Sequence, residues 1–141
     1  MKAASIIGLV LLALFSLCVS PCLPHDLKLV RMKRQFRELP HPPSRVLAFE
    51  ADLGLLEGNG NHCDYFVGEL RASKLDAVAM AKAYDGKADV EAVNIPSDPW
   101  FPSPRDRLHL AAKGQMLAPD ERLYVVSMFD QEAPGMDFRC H

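Results

Sequence analysis

The sequence predicts an α+β domain built on a mostly antiparallel sheet, in the order β-β-α-β-β-β-β, with one main helix, behind an N-terminal hydrophobic helix. Three observations carry that expectation. A Gly-Asn-Gly turn at residues 58–60 separates two apolar segments in the manner of a hairpin, because Asn and Gly accept the positive φ that tight hairpin turns demand. An alanine-rich stretch of helical period, residues 74–84, is the clearest helix in the chain. The other apolar segments are short, strand-like and punctuated by proline and glycine.

With 141 residues, 49% of them hydrophobic and 24% charged, the chain has the balance of a globular protein and room for one domain once its N-terminus is set aside. The net charge of −2 is unevenly spread. Residues 26–47 hold six Lys/Arg against two acidic residues, or +4; residues 48–141 hold nine against sixteen, or −7. The expected organisation is a signal peptide or membrane anchor over 1–24, a basic amphipathic stem and proline hinge over 25–43, and the α+β domain over 44–141. An acidic domain is a poor partner for phosphate backbones, so no nucleic-acid partner is expected.

Residues 3–24 carry no charge, and Lys2 precedes them, which is the pattern of an export signal or an anchor. Pro21 stands where it hinders cleavage after Ser20, and the 21 residues from 3 to 23 suffice to cross a bilayer, so retention is favoured over removal. Cys18 follows Leu17 and Cys22 follows Pro21, neither of which suits a lipid-modified cysteine. Orientation is in conflict. Five Lys/Arg between Lys28 and Arg37 favour a cytoplasmic domain, whereas a cysteine pair favours an oxidising compartment. Export is the preferred resolution.

In the stem, Leu29, Met32, Phe36 and Leu39 recur at helical spacing, with Lys28, Arg31, Lys33, Arg34 and Arg37 around much of the remaining surface. Such a helix either packs its stripe on the domain with its charges solvated, the favoured reading, or lies on anionic lipid. The Pro40-His41-Pro42-Pro43 run ends it.

Residues 45–56 and 63–72 form the predicted hairpin, the second strand carrying Tyr65, Phe66 and Val67. Ser73-Lys-Leu-Asp76 resembles a capping box for the helix, whose stripe is Leu75, Val78, Ala79 and Lys82 and whose end is Asp85-Gly86. Residues 88–95 read as a short strand. Four prolines among residues 96–104 keep that segment out of a sheet centre. Alternation of Leu108, Leu110 and Ala112 favours a strand over 107–115, with a helix as the alternative. Residues 123–129 are a β-branched and aromatic strand. The tail alternates Met136, Phe138 and Cys140 against Asp137, Arg139 and His141, a final strand with Cys140 inward.

The sharpest chemistry lies in Cys63 and Cys140, each beside a histidine, His62 and His141. A disulfide between them is expected. The rivals are free thiols or a metal held by the two His-Cys pairs, which chelate poorly from a strand because neighbouring side chains point to opposite faces. Trp100 and Phe101, in the proline-rich segment, are candidate ligand contacts, with plugging of the core as the plainer alternative. Glu50, Asp52 and His109 offer acid–base types with nothing to bring them together. Phosphate-loop, nucleophile-elbow and zinc-helix motifs are lacking, so no cofactor is expected. The function expected is that of an exported or membrane-tethered binding module without catalysis. An exported hydrolase or metal-dependent enzyme built near His62, Cys63 and His141 is the alternative.

Overall fold

The segments flanking the Gly-Asn-Gly turn do pair. In the computed structural model, which describes residues 7–9, 16, 22–56, 61–94 and 102–141, β1 (Arg45–Gly54) runs antiparallel to β2 (Cys63–Ser73). The turn itself, at Asn59-Gly60, lies outside the described residues. Ahead of β1 stands α1 (Leu23–Arg37), and after β2 come α2 (Ala77–Tyr84), β3 (Asp89–Ala92), α3 (Pro104–Ala111), β4 (Arg122–Glu132) and a 3-10 turn at Phe138–Cys140. The class is α+β, with one antiparallel sheet in the order β1-β2-β4-β3.

Helices cover both faces of that sheet. Cys63, Tyr65 and Val67 of β2 join Tyr124 and Val126 of β4 under α1 and α2, which add Met32, Phe36, Met80 and Tyr84. Phe66, Leu70 and Val125 face the other way, onto Leu108 and Ala112. A central strand covered on both sides has no solvent face to mark by alternation, which is why β2 is buried at ten of its eleven positions. The stripe of α1 is as the sequence reads it: Met32 and Phe36 are buried, and Leu29 and Leu39 pack against the same cluster.

Several elements depart from expectation. Residues 104–111 are helical and not a strand. Ser103 accepts from the Asp106 amide while Asp106 accepts from the Ser103 amide, and Pro104 sits in the first turn where its missing N–H costs nothing. The buried positions Pro104, Leu108 and Ala112 are spaced by four, a helical stripe that also mimics alternation. Among the described residues, the part of the chain after the proline run thus has two α-helices, α2 and α3, where one was expected, and four strands where six were; α1 is the helix expected in the stem. At α2 the N-cap is Asp76, which accepts from the Ala79 amide at 2.8 Å, while Ser73 Oγ turns back to the Pro43 carbonyl. The buried face of α2 is Met80 and Tyr84, leaving Val78 exposed. Asp85 and Gly86 then take left-handed φ values of 50° and 68° and end the helix.

The C-terminal piece is a 3-10 turn and not a strand. Its three-residue period puts Asp137 and Cys140 on one side, both buried, and leaves Met136 and Phe138 in solvent. Among the described residues no helix is long and apolar enough to cross a membrane. The apolar run from residue 3 to 23 falls mostly outside them, although residues 7–9 and 16 are helical.

Candidate functional site

The antiparallel register sets the site. Cys63 lies opposite Glu132 and Tyr65 opposite Asp130, so these four side chains share the face that α1 covers. β4 continues three residues past the predicted end at Phe129, and this extension supplies both carboxylates. Onto them α1 lays its first two turns. His25 is buried, and its Nδ1 is hydrogen-bonded to the Tyr65 hydroxyl. The same hydroxyl lies 3.4 Å from Glu132 Oε2, so one phenol, donor and acceptor at once, bridges the histidine and the carboxylate. Lys28 reaches over the Tyr65 ring, 4.4 Å from its centroid, and holds Asp130 and Glu132 at 2.9 Å each.

The electrostatics follow from that packing. Burial, with Glu132 beside it, pushes the Tyr65 phenol up to about 12, so it stays protonated at neutral pH. Burial alone works against the Lys28 ammonium, but its hydrogen bonds to Asp130 and Glu132 outweigh this and raise its pKa. Those bonds in turn lower the pKa of both carboxylates.

A second ion cluster closes the far side. Asp137, fully buried, accepts from the Arg139 backbone amide at 3.0 Å and from its guanidinium Nη2 at 2.6 Å. The Arg139 hydrogen bonds hold its carboxyl at about 2, well below the usual range. Arg139 also reaches Asp26 Oδ1 at 2.8 Å and the Cys22 carbonyl at 3.3 Å, tying the C-terminal turn to the start of α1. Cys22 is a free thiol whose Sγ donates to Asp137 Oδ1 at 3.6 Å. Burial and the Asp137 charge raise its pKa, which disfavours the thiolate.

Beneath these groups Cys63 and Cys140 form a disulfide, with Cα atoms 4.7 Å apart. The expected pairing is present, though its geometry differs from the expected one. Cys140 arrives on the 3-10 turn, which the Leu55 amide holds by donating to the Arg139 carbonyl at 3.1 Å. Donor atoms of His25, Cys63 and Asp137 lie within 4.8 Å of one another, the one such metal-capable group among the described residues, and neither His62 nor His141 belongs to it. In the disulfide form all three donors are engaged by Cys140, Tyr65 and Arg139. His62 pairs with Asp64 at 3.0 Å, and His141 meets the Gly135 carbonyl at 3.2 Å.

An open groove of about 440 Å³ runs along this cluster, lined by Pro24, His25, Leu27, Lys28, Arg31, Glu132 and Ala133. Its walls mix apolar surface with fixed charges of both signs. Sequence reading overlooked His25, although that residue sits four before Leu29 and seven before Met32 and so extends the recognised stripe. Tyr65 entered only as a strand former, and Lys28 only as a solvated charge. The other predicted candidates lie elsewhere. Trp100 and Phe101 fall outside the described residues. Glu50 and Asp52 meet on Arg107, at 3.1 and 2.9 Å, and His109 turns to Glu91 at 3.7 Å.

Fold and site together define the class of this chain: a disulfide-closed α+β domain whose leading helix and C-terminal turn are clamped together beside a groove of mixed apolar and charged lining. Comparison with models of protein families, with curated proteins and with solved structures finds no match.

Proposed function

We propose that this chain is an exported, membrane-tethered domain that acts as a binding and interaction module. The observation that carries the reading is the buried Cys63–Cys140 disulfide, a bond that persists in oxidising compartments. The uncharged run over residues 3–24 supports a tether. The groove supports binding: Lys28 is held by Asp130 and Glu132 and His25 by Tyr65, while Arg31 on its rim makes no ion pair among the described residues. Such groups offer charges and hydrogen bonds in a set geometry for recognition. Its mixed lining suits a ligand or peptide carrying both charges and an apolar part.

Fractionation with thiol alkylation under denaturing, non-reducing conditions tests this reading. The expected product is a membrane-fraction protein of full mass in which two of the four cysteines, Cys18 and Cys22, are alkylated. Alkylation of all four in freshly lysed cells would place the domain in a reducing compartment. Recovery of a soluble form starting near residue 21 or 23 would reject the tether and keep export.

A further inference from the structure

The inner face of α1 is accounted for by the core; its outer face is not. Leu23, Leu27 and Val30 are 51%, 57% and 61% exposed. Their spacings of four and three put them on one stripe, opposite the buried His25, Met32 and Phe36. Arg34 and Arg37 continue the same side toward the C-terminus, with Arg31 and Lys33 at its flanks. Arg34 is balanced by Glu38 at 2.8 Å, but Arg31, Lys33 and Arg37 make no ion pair among the described residues. Asp26, the acidic residue of the first turn, is taken by Arg139 at 2.8 Å. An open trough of about 470 Å³ runs between Val30, Lys33, Arg34, Arg37 and Glu38. The outer face is therefore apolar over its first two turns and cationic over the rest.

Two observations identify what covers it. The first is position: the uncharged run ends at Pro24, within the first turn of α1, so a bilayer holding that run would meet the helix at Leu23. The second is charge. Residues 26–47 carry +4 and residues 48–141 carry −7, so the basic charge is concentrated in the stretch of chain that follows the uncharged run. We infer that the outer face of α1 lies on an anionic phospholipid surface, with Leu23, Leu27 and Val30 at the boundary of headgroups and acyl chains and Arg31, Lys33, Arg34 and Arg37 on lipid phosphates. The inference rests on the tether proposed above. It differs from laying the Leu29–Met32–Phe36 stripe on lipid, because that stripe is spent in the core. It also places the groove at the membrane rim, since Leu27 and Arg31 belong to both.

The test uses the full chain with Trp100→Phe, which removes the single native tryptophan, and Leu27→Trp as reporter. The protein is reconstituted into phosphatidylcholine vesicles with or without phosphatidylglycerol, carrying brominated acyl chains as quencher. Expected are cosedimentation with both vesicle types and quenching of Trp fluorescence in the anionic ones. That quenching should be lost in high salt or on substituting Lys33, Arg34 and Arg37 by Gln, changes on a solvated face that leave circular dichroism unaltered. Cosedimentation with no quenching in either vesicle overturns the lipid-facing helix and leaves the tether standing. Quenching equal in both vesicles and indifferent to salt overturns the anionic preference. Absence of cosedimentation overturns the tether, and the inference with it.

Discussion

At the scale of single residues, Asp137 and Gly54 decide how the C-terminus meets the fold. Asp137 titrates at about 2 in the folded protein against an ordinary 3.8, so on acidification the unfolded chain takes up the proton first. The stability this carboxylate contributes is complete above about pH 4 and is lost as the pH falls through 2, on the order of 2 kcal/mol. Asp137→Asn should lower stability at neutral pH by about 2 kcal/mol and flatten that acid limb. An unaltered limb in urea titrations across this range would assign it to other carboxylates. Gly54 acts through space and backbone. Its φ is +140°, and a Cβ there would lie 3.0 Å from the Arg139 carbonyl oxygen, the acceptor for Leu55. Gly54→Ala should cost about 1–3 kcal/mol and slow closure of the disulfide on reoxidation. Normal reoxidation would mean the turn seats itself without this strand end.

At the scale of elements, α1 and α3 carry the lessons. α1 shares the core with the sheet: Phe36 is fully buried among Tyr84, Tyr124 and the disulfide cluster. Phe36→Ala should cost about 3–5 kcal/mol in the unfolding of the whole domain, read as a shifted denaturation midpoint with a single transition. A separate early transition, with the main midpoint unmoved, would show α1 docking independently of the sheet. α3 depends on its cap. Ser103 accepts from the Asp106 amide at 3.2 Å and donates to its carboxylate at 2.8 Å. Ser103→Ala should therefore cost about 1 kcal/mol, whereas a strand over 107–115 would scarcely register the change.

At the scale of the whole molecule, the disulfide joins the head of β2 to the last turn across 77 positions. It keeps Arg139 within reach of Asp26 and Cys22, so the clamp on α1 depends on a bond made by its neighbour. Cys140→Ser should lower stability by ~2–5 kcal/mol. It should also speed hydrogen exchange in the first turn of α1 ahead of β2 and β4, because the clamp opens locally before the sheet does. Uniform acceleration across all elements would show that the bond acts on global stability alone.

How much of this was legible in the linear chain depends on the range of the interaction concerned. The hairpin, the α2 helix with its left-handed end, the inner stripe of α1 and the Cys63–Cys140 pair are all visible in the sequence, because turn chemistry, periodicity and cysteine count are local or compositional. Two segments misled by period: positions 104, 108 and 112 satisfy both a strand and a helix, and the tail's alternation gave way to a three-residue turn once Asp137 found Arg139. The site itself was beyond local reading. His25, Lys28, Tyr65, Asp130 and Glu132 are commonplace residues on three different elements, and they become a site only when the β2–β4 register sets Tyr65 opposite Asp130 and α1 lies across them. The sequence determined the class, the bond and the helix that carries the basic charge. The tertiary structure decided that the core and not a lipid surface took up the stripe of that helix, added His25 to it, and left Leu23, Leu27 and Val30 outside, because burial is set by the partner surface and not by the stripe alone.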